Sequence, residues 1–183
     1  MEVMQTKLAG CVIIKPKVFD DGRGFFSESY HSERYSKLCG IKENFVQDNH
    51  SRSTKGVLRG LHFQVNRPQG KLVSVTSGVV FDVAVDLRVD SPTFGEVETI
   101  ILSGENHLQF YVPPGFAHGF LVLSETADFQ YKCTDYYDPS NESGIIWNDY
   151  DLKIDWPIEN PILSCKDSSQ QTLEEYKNKL RDK

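Results

Sequence analysis

VVFDVAVDL, residues 79–87, is the stretch that decides the fold class. Side chains alternate across a β-strand, so Phe81, Val83, Val85 and Leu87 fall on one face and Asp82, Ala84 and Asp86 on the other. Similar short runs recur on both sides of it, in CVIIKPKVF, FFSESY, NFVQDNHS, VLRGLHFQ, KLVSVTSG, VETIILS, HLQFYVP, GFLVLS and ADFQYKC, separated by turn residues. Many short strands at this spacing predict an antiparallel sandwich or barrel. Helices are few. SERYSKLCG offers Ser32 as an N-cap and Gly40 as a stop. The tail SSQQTLEEYKNKL sets Leu173, Tyr176 and Leu180 on one stripe, with Ser168 and Gln171 at capping-box spacing ahead of it.

With 183 residues the chain is long enough for one well-cored domain, 1–183, and no linker or repeat divides it. A net charge of -6 argues against nucleic acid or an anionic membrane as partner. No apolar run approaches the ~20 residues that span a bilayer. The N-terminus lacks the pattern of a signal peptide. The four cysteines, Cys11, Cys39, Cys133 and Cys165, include no CxxC pair, and reduced thiols in a cytoplasmic protein are the expectation.

Two stretches carry chemistry. RGLHFQ and the residues after it hold Arg59, His62, Gln64, Gln69 and Lys71; YVPPGFAHGF holds His118 behind a rigid PPG turn. The second has the shape of the later motif of a cupin barrel. Metal-binding cupins add H-x-H and an acid from their first motif, but here those places carry Gln64 and Gln69. Two imidazoles alone are a poor divalent-cation site, so no metal is expected. Histidine free of metal can act as a base near neutral pH. Arg59 and Lys71 beside it suggest an anionic ligand. No GxGxxG or GxxxxGK[ST] is present, so a nucleotide would be held by side chains. Taken singly, Arg23 suits a solvated turn, Tyr131 a packed strand and Asp167 a cap of the last helix. Strict alternation also separates Arg59 from His62; either Gly60 permits a bulge that brings them together, or Arg59 serves a different part of the ligand or the other subunit.

RGxFxESY, QDNHS, GVLRGLHFQ with QGKLV, PPGFAHGF, YKCTDYYDP, WND-x-DL-x-IDWP and LS-x-KD occur in this order. Together they resemble the dTDP-4-dehydrorhamnose 3,5-epimerase family from about Gly10 to Asp167. The resemblance implies a cupin jelly-roll β-barrel with a few short peripheral helices. It also implies a cytoplasmic homodimer with an exchanged β-segment, working without metal or organic cofactor. The implied reaction epimerises dTDP-4-dehydro-6-deoxy-D-glucose at C3 and C5 to dTDP-4-dehydro-L-rhamnose, for dTDP-rhamnose and lipopolysaccharide O-antigen synthesis. The implied roles make His62 the base, Asp167 its orienting carboxylate and Tyr131 the acid. Lys71 would stand near the 4-oxygen, and Asp82 would be a supporting carboxylate. Arg23, Glu28, Gln47, Asn49, Arg59, His118, Tyr137, Glu142 and Lys166 would contact the nucleotide sugar. The alternatives are a single-position 3- or 5-epimerase on a related sugar, a non-catalytic sugar-binding cupin, and a metal-dependent cupin oxygenase.

Overall fold

The computed structural model describes residues 1–181. Its strands are β1 (Glu2–Gln5), β2 (Val12–Lys15), β3 (Val18–Asp21), β4 (Gly24–Ser27), β5 (Gln47–Thr54), β6 (Leu58–Gln64) and β7 (Lys71–Ser77). They continue with β8 (Val79–Asp86), β9 (Val97–Ser103), β10 (Gln109–Val112), β11 (Phe116–Val122), β12 (Thr126–Cys133) and β13 (Glu142–Gly144). Helices α1 (Ser32–Cys39) and α2 (Leu173–Arg181) lie outside the sheets. A six-stranded sheet runs β1-β2-β10-β7-β12-β5 and a five-stranded sheet β13-β6-β11-β8-β9, while β3 and β4 form a separate hairpin. This is the expected cupin-like jelly roll, with two facing sheets that do not close into one continuous ladder.

Three apolar layers hold it together. Val73, Val75, Phe110 and Phe129 of one sheet meet Val80, Ala84, Phe116 and Phe120 of the other. The outer face of the five-stranded sheet, with Leu58, Leu61, Val83 and Val85, is covered by Ile145, Leu152, Trp156 and Leu173. The outer face of the six-stranded sheet is covered from α1 by Tyr35 and Cys39.

β8 is therefore buried on both faces, and its polar face looks between the sheets. Asp82 and Asp86 are fully buried there. Asp86 is tied by Arg88 at 2.9 and 2.7 Å, Ser91 at 2.6 Å and Thr93 at 2.7 Å. Burial alone would raise its carboxyl; these bonds outweigh it and hold the group down to about 2.

Both helix starts differ from expectation. His31 is the N-cap of α1, one residue before Ser32, although Gly40 ends the helix in the left-handed region as expected. At α2 the box is Thr172 and Glu175, not Ser168 and Gln171. Thr172 N–H donates to Glu175 Oε2 at 2.8 Å, and Glu175 N–H donates to Thr172 Oγ1 at 3.1 Å. Ser168 is held instead in a 3₁₀ turn, Asp167–Ser169. Phe63 packs its ring edge on Tyr176, joining α2 to the outer face of β6.

Candidate active site

Gly60 does bulge. His62 pairs with His118 on β11 but Arg59 pairs with Phe120, so three steps along β6 match two along β11. At Gly60 φ is +141°, and a Cβ would lie 2.5 Å from the Gly119 Cα, so only glycine fits. The extra residue brings Arg59 and His62 onto the same inner face, while Leu58, Leu61 and Phe63 pack outward. Both polar residues line a cavity of about 420 Å³, shared with Tyr131, Lys166 and Asp167.

Asp167 holds the histidine. His62 Nε2 lies 2.5 Å from Asp167 Oδ1. Ser164 Oγ donates to Asp167 Oδ2 at 2.7 Å, and Asp167 N–H donates to Ser164 Oγ at 3.1 Å. The carboxylate side chain is 5% exposed and the imidazole 27%, so a fixed acid supports a ring that faces the cavity. Burial opposes ionisation of Asp167, but the bonds from His62 and Ser164 win and keep its carboxyl below the usual range. An ionised carboxylate there orients the ring and stabilises the imidazolium formed when it takes a proton. Nε2 is engaged, so Nδ1 is the free nitrogen; Glu142 Oε1 stands 4.0 Å from it. Glu142 Oε2 accepts from the Tyr137 hydroxyl and pairs with the Lys166 ammonium. That bond to Glu142 pushes the Tyr137 phenol up to about 12.

Tyr131 is two residues beyond Phe129 on β12 and faces the same way. Burial pushes its phenol up; Cys133 and Glu142 add to this and Arg59 opposes it. A phenol so placed keeps its proton at neutral pH and is a donor. Lys71 faces inward with Val73 and Val75. Desolvation pulls its ammonium below the ordinary lysine value, against Cys133, Glu142 and Asp82. Across β12 from it, on β5, Gln47 Nε2 donates to Asn49 Oδ1 at 3.0 Å, and Asn49 Nδ2 reaches Cys133 Sγ at 3.6 Å.

Lys71, Gln47, Asn49, Tyr137 and Glu142 adjoin these groups but are not among the side chains that line the cavity, and four further expected site residues lie elsewhere. Arg23 is exposed at the tip of the β3–β4 hairpin and pairs with Asp21 at 2.6 Å. Glu28 follows β4 and pairs with Arg34. His118 does not line the cavity; its Nε2 lies 2.9 and 3.0 Å from Asp82 Oδ1 and Oδ2, with both side chains buried. Asp82 thus supports His118, not His62. The sequence reading missed Ser164 and Ser53, whose hydroxyl accepts from Arg59 Nε at 3.0 Å. The S-x-x-D spacing of LSCKD was a usable signal for Ser164; nothing pointed to Ser53.

The places of the absent metal ligands are structurally occupied. Gln64 Nε2 donates to Arg67 O at 2.7 Å and its Oε1 accepts from Asp138 N–H at 2.7 Å. Gln69 Nε2 donates to Asp135 O at 2.7 Å. Among the described residues no three His, Cys, Asp or Glu side chains gather as metal ligands would.

The chain is similar to known proteins along most of its length. Residues 5–175 match the family model described as dTDP-4-dehydrorhamnose 3,5-epimerase. The Pseudomonas aeruginosa dTDP-4-dehydrorhamnose 3,5-epimerase is 54% identical over 168 residues, covering 91% of this chain and 93% of that one. The Escherichia coli protein of the same name is 51% identical over 177 residues, 96% of each. A Legionella pneumophila dTDP-6-deoxy-D-glucose-3,5-epimerase, solved in complex with dTDP-4-keto-L-rhamnose, superposes with a TM-score of 0.92. It is 56% identical, with 94% of this chain and 93% of that chain covered. The chain belongs to the dTDP-4-dehydrorhamnose 3,5-epimerase family.

Proposed function

We propose that the protein epimerises dTDP-4-dehydro-6-deoxy-D-glucose at C3 and C5, giving dTDP-4-dehydro-L-rhamnose for dTDP-L-rhamnose synthesis. One observation carries the reading: a single cavity is lined both by His62, braced on Asp167 at 2.5 Å, and by Tyr131. Hydrogens beside a ketone are removable because the charge left behind delocalises onto oxygen as an enolate. The 4-keto group makes C3 and C5 the two such carbons. Inversion then needs a base on one face and a proton donor on the other. His62 takes the proton through Nδ1, Tyr131 supplies one to the opposite face, and Lys71 stabilises negative charge on the 4-oxygen. Arg59 and Lys166 hold the diphosphate, and Gln47, Asn49, Tyr137 and Glu142 the rest of the nucleotide sugar. His118 and Asp82 back the site from the neighbouring strands.

The protein is read as one domain, 1–183, working in the cytoplasm as a homodimer without metal or organic cofactor. Exposed Phe25 and Phe26 on the β3–β4 hairpin support the dimer. That hairpin is the segment suited to exchange, carrying Arg23 and Glu28 to the cavity of the other subunit. The test is incubation with dTDP-4-dehydro-6-deoxy-D-glucose in heavy water, followed by NMR. Deuterium at both C3 and C5 with inverted product is expected. Exchange at one position only would make this a single-position epimerase, and no exchange would leave a binding protein.

A further inference from the structure

His62 stands between two carboxylates. Asp167 Oδ1 is 2.5 Å from its Nε2, and Glu142 Oε1 is 4.0 Å from its Nδ1. Lys166 and Tyr137 both engage Oε2 of Glu142, which leaves Oε1 turned to the ring. A neutral imidazole carries one proton, and the bonds its two nitrogens make decide which of them holds it. Only a proton on Nε2 leaves Nδ1 a lone pair with which to act as a base. The arrangement therefore works while Asp167 keeps its place and Glu142 loses the contest.

One hydroxyl keeps Asp167 in place. Ser164 Oγ donates to Asp167 Oδ2 at 2.7 Å and accepts from Asp167 N–H at 3.1 Å, so the carboxylate is tied back to its own backbone through the serine. The chain is fixed on both sides of Ser164. Two residues before it, Ile162 N–H donates to Gly56 O at 2.8 Å and Leu58 N–H to Ile162 O at 3.0 Å; beyond it, Ser168 N–H donates to Ser164 O at 3.1 Å. Ser164 itself is exposed, so its side chain is not needed to fill the core. The Asp167 side chain is only 5% exposed, so water is poorly placed to replace the hydroxyl at Oδ2. We propose that Ser164 is a positioning residue that acts through Asp167 to hold the His62 proton on Nε2 and keep Nδ1 bare. The inference rests on the function proposed above, in which Nδ1 is the base.

Ser164→Ala, with Ser164→Thr as the variant that keeps the hydroxyl, tests this in two ways. By NMR, the imidazole nitrogen shifts of the free protein, assigned to His62 by their absence in His62→Gln, report the tautomer. The native protein and Ser164→Thr should show the proton on Nε2, and Ser164→Ala should move it towards Nδ1. In kinetics, kcat and heavy-water exchange should fall together by about 10-fold in Ser164→Ala, the order expected from one lost bond to a charged group, with KM unchanged and Ser164→Thr restoring both. Should Ser164→Ala fail to fold, Ser164→Cys, which keeps a weaker donor, is read in its place and should give the same changes at smaller size. An unchanged tautomer in the variant overturns the inference, whatever happens to the rate. A raised KM with kcat intact overturns it too, since Ser164 would then be a direct substrate contact. Absence of exchange in the native protein would instead overturn the proposed function on which it rests.

Discussion

His62 and His118 are register partners on β6 and β11, and each sets Nε2 on a carboxylate, Asp167 for the first and Asp82 for the second. Their settings differ in access. The His62 side chain is 27% exposed on the cavity, with Nδ1 free; that of His118 is 7% exposed, with Asp82 at 0% and Phe129 alongside. A carboxylate–imidazole pair is thus chemically useful only where one ring nitrogen can meet a substrate. In the closed interior the same pair is a way to keep two polar groups satisfied. The difference follows from chain connectivity. Asp167 arrives from a segment 105 residues away and covers one edge of the ring, while Asp82 sits on the adjacent strand β8.

The largest effect that could break this comparison is His62→Ala. Both epimerisation and solvent exchange should fall by ~10²–10⁴-fold, the usual worth of a general base. A loss under ~3-fold in kcat would move the base elsewhere, with His118 the first suspect. The second test reverses the question. His118→Ala leaves Asp82 buried without its partner, which costs about 3–5 kcal/mol when one member of a buried pair is removed. A lower denaturation midpoint in urea should report that loss, larger than for His62→Ala. An unchanged midpoint with abolished turnover would exchange the two roles.

How much of this was readable beforehand depends on whether the determinant was local. Alternation in VVFDVAVDL announces a strand, but parity says nothing of which face meets solvent; here the carboxylate face turned inward because both sheets close over it. The PPG turn before His118 and the LSCKD stretch with Asp167 were legible as motifs. The resemblance already paired Asp167 with His62; that Asp82 serves His118 was not legible, since that pairing is set by tertiary packing. Gly60 was readable as a candidate bulge, and only the register with β11 decided it. Two capping boxes of equal spacing stood in one tail, and the 3₁₀ turn that takes up Ser168 left Thr172 and Glu175 to start α2. The hairpin with Arg23 and Glu28 was legible as a motif too, but within one chain these residues pair with Asp21 and Arg34 and do not line the cavity.

A third test separates proton removal from proton delivery within the open site. Tyr131→Phe keeps the ring beside Phe129 and deletes the donor. His62 can still take a proton, trade it with solvent and return it to the same face. Deuterium should therefore enter C3 or C5 while little inverted sugar forms. A variant silent in both assays would make Tyr131 a packing residue. Exchange and inversion lost together would make it a substrate-positioning group, with Tyr137 the next candidate for the acid.

The smallest expected effect is no effect at all, and it is the sharpest check on the comparison. Two imidazoles on neighbouring strands, each bonded through one nitrogen to a carboxylate, also resemble metal ligands with the acids that orient them. If a cation lay between His62 and His118, the contrast between an open base and a closed core pair would vanish. Ligand chemistry argues against it. A divalent metal normally takes three or more protein ligands. The two positions where a metal cupin would supply them carry Gln64 and Gln69, whose amides are bonded to backbone groups of residues 67, 135 and 138. Exhaustive chelation should therefore leave turnover and heavy-water exchange unchanged. If chelation abolished them and zinc or iron brought them back, His62 would be a ligand instead of a base, and the loss in His62→Ala would have to be read as loss of metal.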